Sequence, residues 1–430
     1  MAEATPERKP RNFAGFGGAI ASMQVTAYRN YTIANTLSLT GTWLQKLAMS
    51  WLVWQLTQSP SWLGIFIFAD LITVITVSPV MGAIADRMDR LKLMMVAQFI
   101  MMGQATLLFG LYAFDMANIW VLLAMQVWQS FGQGTHTASR MALIPNLVPK
   151  HLLAPAIGVN AMTYNVARFL GPAVAGFVIS QWGQLPAFAL NALSYIPFML
   201  ILRTITIATP DDIRKPQGGI LAQMAEGMRY AARHPGIGPL IFIMGIVSFS
   251  VRALPDMLPG FASDVFGRGV DGLAWFTSAM GLGAAGAGLM LARTNGTRGL
   301  TRRLAGNVAC MALAVLAFVA TRDFAIGVAA AAICGYVITT NGATSQTLIQ
   351  SAVDGAMRGR VMTTFTLIYL GAPALGGLVF GHAAELIGLR LTFALGAGLC
   401  FLCFLWMFPR RKAMGDALEV GPAAGKAERP

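Results

Sequence analysis

Apolar stretches of about twenty residues recur along the whole of this 430-residue chain, each near the length an α-helix needs to cross roughly 30 Å of hydrocarbon. They fall near residues 33–55, 62–84, 92–113, 118–138, 154–180, 186–205, 237–259, 272–292, 303–320, 325–348, 361–382 and 390–408. None alternates polar and apolar residues with period two, which disfavours a barrel. Helices remain as the elements that satisfy every backbone group inside lipid. With 56% hydrophobic and only 11% charged residues, the expected class is an all-α integral membrane protein of twelve spans.

The basic residues set an expected orientation, because Lys and Arg gather in the short cytoplasmic loops of membrane proteins. Numbering the spans in order, all but six of the 31 Lys and Arg lie with the termini, in loops on their side or, as Lys92, Arg203 and Arg303 do, at the span ends bordering them. Arg268, Arg322 and Arg390 fall opposite, and Lys46, Arg168 and Arg252 lie within spans. Both termini are therefore expected in the cytoplasm of a cell whose inner membrane holds the chain. The formal net charge of +13 then reflects orientation and not nucleic-acid binding, for which no basic soluble domain exists. Residues 1–29 lack the pattern of a cleavable signal, so span one is expected to serve as an uncleaved anchor. Cys310, Cys334, Cys400 and Cys403 all sit in apolar runs, where a thiol is usually a small packing group.

The longest polar interval divides the spans six and six. It opens with TPDDIRKPQGG, which has the Pro, Gly and charge content of a linker, and closes with ILAQMAEGMRYAARHP. The second piece places Ile220, Met224, Met228 and Ala231 on one face of a short amphipathic helix. The expected organisation is a cytoplasmic segment 1–29, a six-helix bundle 30–206, a linker with its helix 207–236, a second bundle 237–410 and a tail 411–430. A weak internal repeat offset by 201 residues matches Gly158 with Gly359, Pro172 with Pro373 and Gly176 with Gly377. Duplicated halves are the means by which alternating-access transporters build a site at the repeat interface.

The loop GAIADRMDRLK, with Gly82, Asp86, Arg87, Arg90 and Lys92, resembles the signature between spans two and three of the major facilitator superfamily. Asp89 stands there where most members carry Gly. Gly158, Ala167, Gly171, Pro172, Ala175 and Gly176 resemble a span-five signature associated with antiporters, with two of its glycines replaced by alanine. GTWLQKLAMSWLVWQLTQSP, SRMALIPNLVP, EGMRYAARHP and RGRVMTTFT are similar to the branch that contains the enterobactin exporter. The resemblance implies two pseudo-symmetric six-helix bundles, and an inner latch in which Asp86, with Arg87 and Arg90, favours an outward-open state.

The residues also admit a direct physical reading. Asp86 at a helix boundary can meet the positive N-terminal end of a neighbouring helix, for which the start of span eleven near Arg360 is a candidate. The alternative is that the loop charges only enforce orientation. Gly171 and Gly176 allow close helix contact and Pro172 invites a bend, which serves packing or gating equally. Ionisable groups at membrane depth carry more information, because each costs several kcal/mol unless paired or hydrated. Lys46 and Asp70 lie at similar depth, so a pair is possible. It is either a structural bridge or a proton-coupling site in which Lys46 tunes Asp70. Arg252 and Asp256, four residues apart, are expected to form a structural or outer-gate pair. Asn35, Thr42, Trp43, Gln45, Gln126, Gln129, Arg168, Tyr336, Thr339 and Asn341 are candidate cavity residues. His136 reads as a boundary residue.

Enzymatic readings lack support. No G-x-x-x-x-G-K-[ST] loop and no H-E-x-x-H motif is present, and no soluble segment is large enough for a catalytic domain. No metal and no cofactor is implied. The expected function is a secondary active transporter, a proton-driven exporter of a small amphipathic molecule such as a drug, siderophore or related metabolite. Alternatives are a proton-coupled importer and a receptor or scaffold without transport. Expected partners are the small-molecule substrate, protons and the lipid bilayer, with the chain acting as a monomer and without nucleic acid.

Overall fold

The structure, a computed structural model, describes residues 16–85, 88–205, 220–292, 296–355 and 357–419. Among these the chain is helical throughout, without strands. Its helices are α1 (Phe16–Gln24), α2 (Thr26–Thr57), α3 (Pro60–Ala85), α4 (Arg90–Ala113), α5 (Ile119–Leu147), α6 (Leu153–Trp182) and α7 (Leu185–Leu202). There follow α8 (Ile220–Arg233), α9 (Ile237–Val251), α10 (Leu254–Gly260), α11 (Gly269–Ala292), α12 (Leu300–Ala320), α13 (Phe324–Ala352), α14 (Arg358–Ile387) and α15 (Leu389–Leu418). A one-turn π-helical piece, Phe261–Val265, continues α10.

Local chemistry explains the short connections. Between α2 and α3, Gln58 adopts a left-handed conformation and its N–H bonds the Trp54 carbonyl at 2.8 Å, while Pro60 starts the next helix. Asn118 and Asp323 cap α5 and α13 by accepting from backbone N–H groups at 3.0 Å, an arrangement typically worth about 1 kcal/mol. Asp89 does the same for α4, accepting from Leu91 and Lys92. The departure from Gly at this position thus supplies a helix cap.

Nine helical segments are long and apolar enough to cross a membrane, among the described residues. Three further helices, α2, α5 and α6, are as long as the others but are less apolar and are not in that set. They carry Asn35, Gln45, Gln126, Gln129 and Asn165, which lower their hydropathy. Several helices also outrun their apolar stretch, as α5 does by continuing past Arg140 to Leu147.

Within the first half α2 packs on α6 and α7, α3 on α5, and α4 on α5 and α7; within the second, α11 packs on α13, α12 on α13 and α15, and α9 on α14 and α15. The halves join chiefly through α3 against α14 and α6 against α11, with α10 touching α2 and α3. Both main crossings depend on small residues. A Cβ on Gly64 would meet the Gly377 carbonyl, one on Gly381 would lie 2.6 Å from the Pro60 carbonyl oxygen, and one on Gly176 would meet the Ala274 methyl. Gly176 and Gly377, paired in the sequence repeat, thus occupy corresponding crossings between halves. These contacts lie near the start of α3 and α11 and late in α6 and α14, toward the end of the bundle away from the chain termini, here the far end. At the opposite, terminal end no glycine among the described residues makes such a crossing between the halves.

The amphipathic helix α8 packs on α14 at the terminal end. On its apolar face Met228 is 52% exposed and Ala231 is buried. Gly227 is also packed, lying against the Arg360 backbone, an approach that only a residue without a side chain allows. Cys334, Cys400 and Cys403 are buried and Cys310 is exposed, all four as free thiols.

Candidate functional site

The site is assembled around Trp43 of α2. A Cβ on Gly171 of α6 would lie 2.9 Å from the Thr40 carbonyl oxygen and 3.0 Å from the Leu44 nitrogen, so this glycine seats α6 on the α2 backbone. That contact brings Tyr164 edge-on to Trp43, with ring centroids 5.7 Å apart. It also brings the Arg168 guanidinium to 5.6 Å and, from α2 itself, the Lys46 ammonium to 5.5 Å from the indole, within cation–π range. Pro172 and Gly176 are buried, whereas Gly158 faces open space.

Lys46 and Asp70 meet across α2 and α3, with Nζ 3.5 Å from Oδ2. The second carboxylate oxygen accepts from the Ser130 hydroxyl of α5 at 2.5 Å, and Gln126 donates to that hydroxyl at 3.2 Å. The Lys46 and Asp70 side chains are 43% and 31% exposed, so the pair is not sealed off by its neighbours. A charge pair left partly exposed between helices keeps part of its hydration.

The second half contributes Arg252 and Asp256, although not as the expected pair. The helix breaks between α9 and α10 at Arg252 and Ala253. Pro255 supplies no N–H for the missing bond, so the regular i, i+4 geometry does not apply. Arg252 instead turns to α14, where it donates to the Tyr369 carbonyl at 2.9 Å and lies 3.9 Å from that ring. Asp256 lies within electrostatic range of Lys46, Asp70, Arg168 and Arg252. Three cations and two carboxylates from both halves thus share one region at the junction.

Several expected cavity residues lie elsewhere. Gln45 is buried inside the first half, where it donates to Gln104 at 2.8 Å and Gln129 at 3.2 Å and accepts from Asn191 at 2.7 Å. Asn35 is likewise buried, 1% exposed, and Gln126 supports Ser130. The Gln45 bonds hold helices together, because a buried amide is satisfied more readily by a neighbouring amide than by a transient solute; the Asn35 amide has no hydrogen-bond partner among the described residues. Thr42 meets the Tyr195 hydroxyl at 3.2 Å, and Thr339 bonds the Gly335 carbonyl one turn back. Asn341 is buried at 5% exposure, while Tyr336 lines a separate pocket beside Arg303 and Asn307. His136 is fully buried against Phe198 with ring centroids 6.2 Å apart, in the core of the first half and not at its boundary.

At the terminal end Asp86 and Arg87 lie outside the described residues, as does the Gly82 side-chain environment. Arg90 begins α4 and Lys92 donates its backbone N–H to Asp89. Arg360, the proposed neighbour of Asp86, forms a 2.5 Å ion pair with Glu226 of α8. At the far end, Glu385 of α14 accepts hydrogen bonds from the Ser59 and Ser61 hydroxyls beside the start of α3. It thereby ties the halves together where they are already closest. Sequence reasoning missed this link, although a carboxylate just beyond span eleven, on the side almost devoid of basic residues, was its visible signal. Among the described residues no group of His, Cys, Asp and Glu side chains could hold a metal ion.

Two six-helix halves packed closely at one end, with charged and aromatic side chains gathered at their junction, are the architecture of a membrane transporter. The chain belongs to the transmembrane secretion effector family of the major facilitator superfamily, whose model matches residues 17–425. It is 21% identical over 334 residues to macrolide efflux protein A of Streptococcus pyogenes, covering 77% of this chain and 82% of that protein. Identity to the staphyloferrin A transporter of Staphylococcus aureus is 23% over 379 residues, covering 86% and 92%. A crystal structure of a bacterial homologue of the lysosomal transporter Spinster superposes with a TM-score of 0.71 at 14% identity, covering 92% of this chain and 98% of that one.

Proposed function

We propose that the chain is a proton-driven exporter of a small amphipathic molecule working by alternating access. The observation that carries this reading is the ionic cluster at the junction of the halves, which pack closely at the far end; in this reading a cleft opens at the terminal end. Its named efflux and siderophore-transporting relatives support export of small solutes. The preponderance of basic residues on the terminal side supports cytoplasmic termini, and with that orientation the cleft faces inward, toward solute to be expelled. α2, α5 and α6 complete the twelve spans, and the bundles 30–206 and 237–410 rock about the α3–α14 and α6–α11 crossings as a monomer.

In this cycle Trp43, Tyr164 and Tyr369 offer aromatic faces to the apolar part of the solute. Arg168, one of three cations facing two carboxylates, favours a solute that bears an anionic group. Asp70 carries the proton, with Lys46 and Ser130 stabilising its ionised form until the cleft opens at the far end. Asp86 and its neighbours latch the terminal end in that second state. The test is purified protein in liposomes holding a pH-sensitive dye. Imposed gradients of candidate efflux substrates should drive proton movement, and an imposed pH gradient should drive solute uphill. Solute flux that neither moves protons nor responds to the pH gradient would exclude proton coupling, and accumulation toward the terminal side would reverse the direction.

A further inference from the structure

Away from the cleft, α12 and α15 pack side by side at the terminal end and leave a groove of about 280 Å³ between them. Arg302 and Gly306 of α12 and Phe404, Phe408 and Arg411 of α15 form its walls, with Ala309 deeper in. Its composition is divided by height. The guanidiniums stand at the rim, where the apolar stretches of both helices give out, and small and aromatic side chains line the depth. Arg411 is oriented by its own helix: it donates to the Phe408 carbonyl at 2.5 Å and lies 3.8 Å from that ring. Its remaining N–H groups point away from that bond. Arg302 is exposed.

Among the described residues neither guanidinium forms an ion pair with a carboxylate. The acid beside the start of α12, Glu419, is committed to the helix, accepting from the N–H groups of Gly299 and Thr301. Asp416 of α15 is exposed and makes no ion pair among the described residues. The rim is thus a pair of cations without counter-charge, flanked by exposed Arg410 and Lys412. At Gly306 a Cβ would meet nothing within 4 Å, so the missing side chain leaves the floor of the groove open.

We propose that this groove seats one anionic glycerophospholipid of the leaflet at the terminal end. Its phosphate lies between Arg302 and Arg411, where bidentate guanidinium contacts suit phosphate geometry, and one acyl chain runs over Gly306 along Phe404 and Phe408. Charge complementarity selects an anionic head, and the apolar depth selects a lipid over a soluble phosphate, which would leave the aromatic wall uncovered.

Native mass spectrometry of the full-length protein in detergent tests the assignment, with phosphatidylglycerol, phosphatidylcholine and glycerol phosphate as probes. Phosphatidylglycerol should be retained at least about tenfold more tightly than phosphatidylcholine, and glycerol phosphate should not displace it. Arg302→Gln with Arg411→Gln should erase the preference. Gly306→Leu, which keeps every charge and favours helix, should weaken retention of phosphatidylglycerol by filling the floor. Arg410→Gln with Lys412→Gln, outside the groove, should leave the preference in place. Equal retention of the two lipids, displacement by glycerol phosphate, indifference to both groove variants, or an equal loss from the Arg410 and Lys412 changes would each overturn the proposal.

Discussion

Gly64 of α3 and Gly377 of α14 cross with so little space that a methyl on the first would run into the carbonyl of the second. This crossing joins the two halves at the far end, and it is reinforced by Glu385 reaching the hydroxyls of Ser59 and Ser61. It is matched by Gly176 against Ala274 on α6 and α11. Small residues at such points suit helices that must pack closely in one state and part in another.

Gly64→Val is expected to raise the energy of the far-end closed state by about 1–3 kcal/mol, the usual cost of overpacking. That corresponds to a population shift of roughly 5- to 150-fold. Spin labels at Met116 and Arg322, in far-end loops of opposite halves, should report a longer distance distribution than in the parent. An unchanged distribution in a folded, membrane-inserted variant would show that α3 and α14 relax without separating.

Glu385→Ala and the double change Ser59→Ala, Ser61→Ala should produce the same far-end opening, and combining all three should add little, because one link is removed each time. The same labels and the rate of solute flux measure it. Additive effects would mean that Glu385 and the serines act through different partners.

Asp70→Asn should abolish uphill, gradient-driven transport while leaving solute exchange down its gradient, since the amide mimics a permanently protonated carboxyl. Changing Lys46 to Gln together with Asp70→Asn separates coupling from structure: a purely structural pair is rescued when both charges go. Return of uphill transport in that double variant would assign the pair to packing alone.

His234 joins α8 to α9 and accepts from the N–H groups of Gly236 and Ile237, both at 3.2 Å, which requires an unprotonated Nδ1. Burial, partly opposed by the Asp354 carboxylate, holds its pKa below the ordinary value of 6.5. A base depressed in the folded state contributes stability that is complete above its unfolded pKa and is lost as the pH falls below about 6.5. Hydrogen exchange of the Gly236 and Ile237 amides should therefore accelerate, relative to intrinsic rates, on acidification through that range. His234→Asn, which keeps a side-chain acceptor, should flatten the dependence. Exchange protection that is constant down to pH 4 in the parent would remove His234 as the cap.

The helical, membrane-embedded class is legible in the sequence, because apolar runs of bilayer length leave the backbone one efficient way to satisfy its hydrogen bonds. It also marked Lys46 and Asp70, since charges at similar depth in adjacent spans have few other places to go, and the repeat that pairs Gly176 with Gly377. What it left open depended on helix rotation, which composition does not encode. Whether Gln45 faces a cleft or three amides of its own half is decided by how α2 turns against α4, α5 and α7. The Arg252–Asp256 spacing looked like a pair only while the helix was taken as continuous; the break before Pro255 sends Arg252 to Tyr369 and leaves Asp256 facing the other half. Glu385 and Ser59 are 326 residues apart, and their meeting, like the open groove over Gly306, exists only once the two halves and their neighbouring helices are packed.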